Sequence, residues 1–512
     1  RLSHTIRDGI TTLYSYDELG NQTAVTTKGR DDGEITTSST YSNGELTSTT
    51  DALGNVTTYT RNYATEGSNT TYTETVTRPD GSTQITTYLN GQQTGISGTA
   101  VHPQTFEYGP NWQKTLPQNQ TVYTDLLGRQ YKTVYADGTE ALQYYNNKNQ
   151  VIKSVSPAGR VTLYEYDGLG RQTKQTIDMN ANGEIDSADL VTSTAYSYGT
   201  ESGKTVSITT VTQSQGENSK VTAIERLSLD GLEQWSTDAA GLTTHIKQER
   251  LGNGITRQTQ TNPDGTGTVT NMQNGTVTSV QQMNSDGTAG NVTTYTYDEY
   301  NRNTGTVEKA GETAVNTVLM TYDAAGQILS QTVNGQTTTY AYDIVNRLRT
   351  TTLPGNRVIV EESWPTGELK RLSGADTYTQ EWTWNPVWGT QATLTTWKEE
   401  AIPQVTTWVY NNRGFNTAKL YADNNGPTYT YDADGNMLTR TWARGVVTTY
   451  TYDAAGRMTN QSYSDDTPSI TTAYSFLNQP LTITDAAGMR TLTYNSQSLL
   501  ENETIPGIMD NM

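Results

Sequence analysis

A chain of 512 residues with only 32% hydrophobic residues and a mean hydropathy of -0.69 is too polar for a conventional compact core. Its net charge of -19 argues against partners built on nucleic-acid phosphate or anionic lipid, both of which need clustered Lys and Arg. It contains no Cys, so it has neither a disulfide framework nor thiol chemistry, and no apolar run reaches membrane-span length.

Taken in order, residues 1–120 read as degenerate hairpins. Tyr16-Asp17 with Gly20-Asn21 marks one turn, and Asp51 with Gly54-Asn55 marks another of the same kind. Asp32-Gly33, Asn43-Gly44, Asp80-Gly81 and Asn90-Gly91 are compact turn signals between alternating runs. Pro103, Pro110 and Pro117 around Trp112 predict a connector near 102–120. Residues 121–177 restore a rhythm, with Tyr123, Tyr145 and Tyr166 spaced 22 and 21 apart. Residues 178–189 form an inserted loop. Residues 190–295 are degenerate again, and longer, more variable hairpins are expected there. Regular copies return over 296–353, and 354–409 is rich in Trp. The repeat is clearest over 410–496, and 497–512 is a patternless tail.

The unit itself is legible in Tyr429 to Asn460, where it is written twice. Tyr431-Asp432 with Gly435 and Tyr452-Asp453 with Gly456-Arg457 lie 21 residues apart. Strict alternation places Tyr450 and Tyr452 on one face and Thr449 and Thr451 on the other. The Asp accepts backbone N–H bonds, and the Gly supplies the positive φ that closes the turn. Met437 and Met458 restart the outgoing strand toward the tyrosines. The unit is a β-hairpin, and the chain is a tandem array of them with no convincing long helix. A turn or two of helix after Asp186 is the one candidate.

The insertion carries Asp178, Asn180, Asn182, Asp186 and Asp189 at loop positions 1, 3, 5, 9 and 12, with Gly183 at 6 and Ile185 at 8. This spacing wraps oxygen ligands around one Ca2+, with the Glu184 carbonyl at position 7. It resembles EF-hand and dockerin loops, with Asp in place of the usual Glu at position 12 and no entering helix. The bland reading is an acidic hairpin insertion. We expect a structural Ca2+ site.

The run Tyr166-Asp167-Gly-Leu-Gly170-Arg171, repeated at 452–457, resembles the YD repeat of the RHS and teneurin-like family. Near-matches occur at Tyr16, Tyr297, Tyr322, Tyr342 and Tyr431. The resemblance implies hairpins edge-paired into one spiralling β-sheet that forms a hollow shell or a segment of one. It implies, for bacterial toxin-carrying members, an enclosed polypeptide cargo and, for teneurin-like members, a rigid adhesive scaffold. The Asp-Pro-x-Gly core at which toxin-carrying members cleave themselves has no counterpart, since Asp-Pro occurs nowhere.

His4, His102 and His245 fall in no triad or metal motif, and no phosphate-binding glycine loop opens a helix. Asp432 and Asp434 look like paired carboxylates, yet backbone capping explains a repeated turn aspartate, and the sister turn, where Ala454 is equivalent to Ala433, needs only its first Asp. Trp382 and Trp384 share a strand face and, with Trp388 and Trp397, either pack within the wall or form a sugar-stacking row; packing is favoured. The expectation is therefore an all-β, non-enzymatic shell fragment of a larger secreted or surface-exposed bacterial protein. Its partners would be enclosed cargo or flanking domains, with extracellular adhesion or glycan binding as the competing role, and no nucleic acid or membrane span.

Overall fold

The computed structural model describes residues 1–398 and 402–507. They form a single 45-stranded sheet in which each strand pairs antiparallel with the strands before and after it in the chain. The first strand, His4–Arg7, pairs only with the second, and the last, Leu500–Thr504, only with the one before it. No helix occurs among the described residues, including the stretch after Asp186, where there is only a turn. The segments separated on composition all lie in this one sheet. Pro103, Pro110 and Pro117 do not mark a connector: Gln104–Gly109 and Trp112–Leu116 form a regular hairpin. The three prolines sit at its turns and ends, where a missing N–H costs the ladder nothing.

The repeat dictates the pairing. Within a repeat, Tyr431 faces Met437 and Tyr452 faces Met458 directly across the hairpin. Each of these ladders shifts register at the residue before the Tyr, the bulge that admits the Asp-x-x-Gly turn. Between repeats the ladder is short: Met437–Thr441 and Val447–Tyr452 share only the pairs Thr439–Thr449, Arg440–Thr448 and Thr441–Val447.

Because consecutive strands pair, successive turns alternate between two long rims of one ribbon. Turns 17–21, 125–129, 146–150, 167–171, 298–302, 432–436 and 453–457 lie on one, the Asp rim. Turns 29–33, 78–82, 135–139 and 156–160 lie on the other, the connector rim. Asp51–Asn55 uses the same turn chemistry on the connector rim.

The ribbon coils. Side chains from residues 8 to 220 meet partners 266 to 287 positions later in the chain, in register along the whole length. One turn of the spiral therefore takes about that many residues, and the connector rim of the first coil rests on the Asp rim of the second. The result is a wall one sheet thick. Among the described residues the buried apolar side chains are few: Ala100, Leu163, Val206, Trp235, Ala418 and Ile505. Stability comes instead from half-buried neighbours within the sheet and from the seam between coils.

Candidate functional site

The Tyr-Asp-x-x-Gly-Arg motif is a two-way tie between repeats. In the turn 453–457, Asp453 Oδ1 accepts the Arg457 N–H at 2.9 Å, and the Gly456 N–H reaches the Asp453 carbonyl at 2.9 Å. Gly456 holds φ +80°, a region that side chains with a Cβ rarely enter. The Tyr452 hydroxyl donates backward to the Met437 carbonyl at 2.8 Å, beyond the last pair of the short inter-repeat ladder. Arg457 Nε donates to Asp453 Oδ2 at 2.7 Å, while its Nη1 donates forward to the Ser475 carbonyl at 2.8 Å. Its guanidinium stands 5.1 Å from the Tyr474 ring centre. Tyr166, Asp167, Gly170 and Arg171 repeat the turn and the backward tie, with Tyr166 bonded to the Val151 carbonyl, while Arg171 reaches forward only to the Tyr196 ring, at 4.1 Å. In 431–436 the Arg is replaced by Asn436, which bonds Asp432 Oδ2 at 2.8 Å, and Tyr431 packs on Phe415. Gly435 has φ +91°.

The seam uses the remaining turn positions. Asp434 is not a spare carboxylate: it accepts from Ser156 Oγ at 2.7 Å and from the Ala158 N–H at 2.9 Å, and it faces Arg160 Nε at 3.5 Å. Arg160 also donates to Asp432 at 3.2 Å. Arg413 crosses to Asp137 at 3.1 Å, lies 3.8 Å from the Tyr135 ring centre and donates to the Ala433 carbonyl; its side chain is 9% exposed. Arg347 pairs with Asp80, and His102 Nε2 meets Glu368 at 2.6 Å. Glu299 Oε2 accepts the Gly33 N–H at 2.9 Å. A Cβ on Gly33 would push aside the Glu299 carboxylate and the Tyr300 hydroxyl.

Burial by itself pushes the carboxyls of Asp80 and Asp137 up. Bonds from Ser82 and Arg347 to the first, and from Thr139 and Arg413 to the second, overcome this and hold both below the ordinary range. Glu368 is likewise held low against its burial by Thr366 and His102. None of these seam pairs was found by sequence reasoning. Their one signal is the departure of Arg413 and Asp434 from the alanine found at the same turn position in Ala325 and Ala455.

In the 178–189 loop, Asp178 and Asp189 are 2% and 0% exposed. Asp178 accepts the N–H groups of Asn182 and Gly183, and Asp189 those of Met179 and Asp186. The side chains of Asn180 and Asn182 both reach Asp186 Oδ2, at 2.8 and 2.6 Å. The Glu184 side chain is exposed. Among the described residues no three His, Cys, Asp or Glu side chains gather as a metal-ligand group.

Trp364, Trp382, Trp384, Trp388 and Trp397 are half-buried. Trp384 Nε1 donates to the Leu369 carbonyl at 2.8 Å, taking the backward tie that Tyr makes elsewhere, and Trp364 Nε1 donates to the Trp382 carbonyl. Trp388 packs against Gly414, and Trp397 sits opposite Pro403. The histidines are dispersed: His4 bonds Ser3, His102 lies in the seam, and His245 stacks on Trp235 and bonds Glu233 at 3.1 Å.

Residues 145–185, 322–358 and 431–468 match the RHS Repeat family model. Those three stretches carry RHS repeats. The three matched stretches contain the turns 167–171, 323–327, 432–436 and 453–457, so the Asp-capped turn belongs to the RHS-repeat stretches. No curated protein matches the sequence. Among solved structures, the Tc holotoxin pore of Photorhabdus luminescens has the same fold, with a TM-score of 0.52 and 11% identity over 97% of this chain and 31% of that one. The TcdB2–TccC3 complex aligns with a TM-score of 0.46 and 12% identity over 98% of this chain and 36% of that chain. The RHS-repeat chain thus spans about a third of the length of these solved chains.

Proposed function

We propose that this chain is a non-enzymatic wall segment of an RHS-repeat shell that encloses a polypeptide cargo within a larger secreted bacterial toxin protein. The observation that carries the reading is the seam. An array built only to display a surface needs no contact between residues 270 apart, whereas a wall that must exclude solvent and protease from a lumen does. Here each coil is joined to the next by charged pairs and direct backbone contact, such as the Arg30 N–H to the Glu299 carbonyl at 3.2 Å. The shared fold of a toxin pore component supports the same role. Cryo-electron microscopy of the full-length protein tests it: density within a closed wall, with protease-resistant contents, is the expected result. An open ribbon with an empty, protease-accessible inner face would refute it.

The 178–189 loop we read as a structural Ca2+ site on the connector rim. Its donor set is all oxygen, as Ca2+ requires, and two of its carboxylates are buried without a cationic side-chain partner. Asp178, Asn180, Asn182, Asp186, Asp189 and the Glu184 carbonyl would hold the ion, which would neutralise the loop. Ca2+ is expected to raise the melting temperature relative to EDTA in the native chain but not in Asp186→Asn, whose side chain is exposed. Identical melting with Ca2+ and EDTA would remove the site.

A further inference from the structure

A polar cluster fastens the first hairpin to the second coil. Asp8, in the turn of that hairpin, accepts Arg30 at 2.9 Å on one carboxylate oxygen and the side-chain amide of Asn274 on the other. Arg30 also donates to Asn301 at 3.2 Å, and its backbone N–H reaches the Glu299 carbonyl. The strand His4–Arg7 is exposed and pairs only with Ile10–Tyr16, so the bond from Asn274 joins an edge hairpin to the coil beyond it.

Asn274 is followed by glycine, in a two-residue turn between the paired residues Gln273 and Thr276. Both turn residues are exposed, and a Cβ on Gly275 would meet nothing within 4 Å, so water reaches the turn freely. Among the described residues no backbone group engages the Gly275 N–H. The sequence holds seven Asn-Gly pairs, and the role of the amide sets this one apart. The Asn334 side-chain oxygen accepts the Thr317 N–H at 2.8 Å, and that of Asn90 accepts the Thr70 N–H, a role that a carboxylate keeps. Asn182 donates to Asp186 within its own loop. Asn274 donates to a carboxylate 266 positions away, across the seam, and a carboxylate has no proton to donate in its place.

We propose that Asn274 is a self-modification site whose conversion unfastens this end of the seam. The Gly275 backbone nitrogen bonds to the Asn274 side-chain carbonyl carbon, unhindered because Gly275 has no Cβ. The proton it loses goes to the side-chain nitrogen, which leaves as ammonia. The resulting succinimide ring takes up one water and opens to an aspartate or an isoaspartate residue, with no electrons exchanged. Either product sets a carboxylate where the Asp8 carboxylate had a donor, so an attraction across the coils becomes a like-charge contact. Arg30 is already shared by Asp8 and the Glu299 turn. An isoaspartate also lengthens the turn backbone by one methylene, against the direct pairing of Gln273 with Thr276.

The test holds the full chain at neutral pH and physiological temperature over successive days. Peptide mass mapping follows amide-to-acid conversion, and hydrogen exchange reads the backbone amides of residues 4–16 and 29–33. Conversion at Asn274 in the folded chain is expected, with these amides exchanging about tenfold faster once it is complete. Asn274→Asp should exchange at the faster rate from the outset, Asn274→Gln should show no change over the same days, and Asn43→Asp, on the free rim, should match the native chain. Absence of conversion at Asn274 in the folded chain while the urea-unfolded chain converts, or exchange in Asn274→Asp equal to the native chain, would overturn the proposal.

Discussion

The Asp rim of the first coil and the Asp rim of the second are built from the same turn, and they meet opposite fates. In the first coil the third turn position is Leu19, Leu127 or Leu169, and these side chains are exposed, Leu127 by 69%. In the second coil Tyr300, Arg413 and Asp434 take the same position and lie against the connector rim of the first coil, while Ala325 and Ala455 take it in two other turns. The turn glycines show the same contrast. A Cβ on Gly128 would meet nothing within 4 Å, whereas one on Gly456 would come within 2.8 Å of Arg160 Nη1. The motif therefore builds the ribbon, and the variable positions inside the motif decide whether a rim is joined to another coil.

Removing a seam side chain should break this contrast most sharply. Arg413→Ala leaves Asp137 without its partner across the coils and is expected to cost about 2–3 kcal/mol, less than a fully buried pair because Asp137 keeps some solvent. Arg129→Ala, the turn arginine of the free rim, should cost clearly less in the same chemical-denaturation experiment. A second comparison pairs the glycines. Gly128→Val should cost about 1 kcal/mol or more from forced φ alone, and Gly456→Val more, because it also displaces Arg160. Equal losses would mean that the seam contributes nothing at this turn.

Acid sharpens the comparison at the level of the whole seam. Asp80, Asp137 and Glu368 are held below their ordinary values in the folded chain. The stability they add is complete above the unfolded carboxyl range, near pH 4, and is lost as pH falls through the lower folded values. Protease accessibility of the seam should therefore rise below about pH 4, with no corresponding change between pH 6 and 8 from these three groups. The smallest effect belongs to the free rim: Leu127→Ser should change stability by less than about 0.5 kcal/mol.

Much of this was legible in the sequence because the repeat is a local signal. Tyr452, Asp453, Gly456 and Arg457 lie within six residues, and their hairpin register follows from alternation and the turn. The role of Arg457 as a forward tie was not legible, since its partner at Ser475 is a backbone carbonyl. The seam was hidden for a stronger reason: Asp434 and Ser156 are separated by 278 residues, and no local pattern couples them. Asp434 thus read as an accessory to its own turn. The prolines of 102–120 read as a connector because Pro signals a break, while here all three fall where a hairpin already bends.

The coil length also sets a clock. Arg413 leaves the ribosome 276 residues after Asp137. At 5–20 residues per second that is roughly 14–55 s. Throughout that interval the connector rim of the nascent first coil faces the cytosol uncovered. Its residues at 78–82, 135–139 and 156–160 include Arg78, Asp80, Asp137, Thr139, Ser156 and Arg160, which water can solvate until the second coil arrives. A rim made of leucines would spend the same interval exposed to other chains on the same polysome. The polar seam is thus suited to waiting as well as to joining.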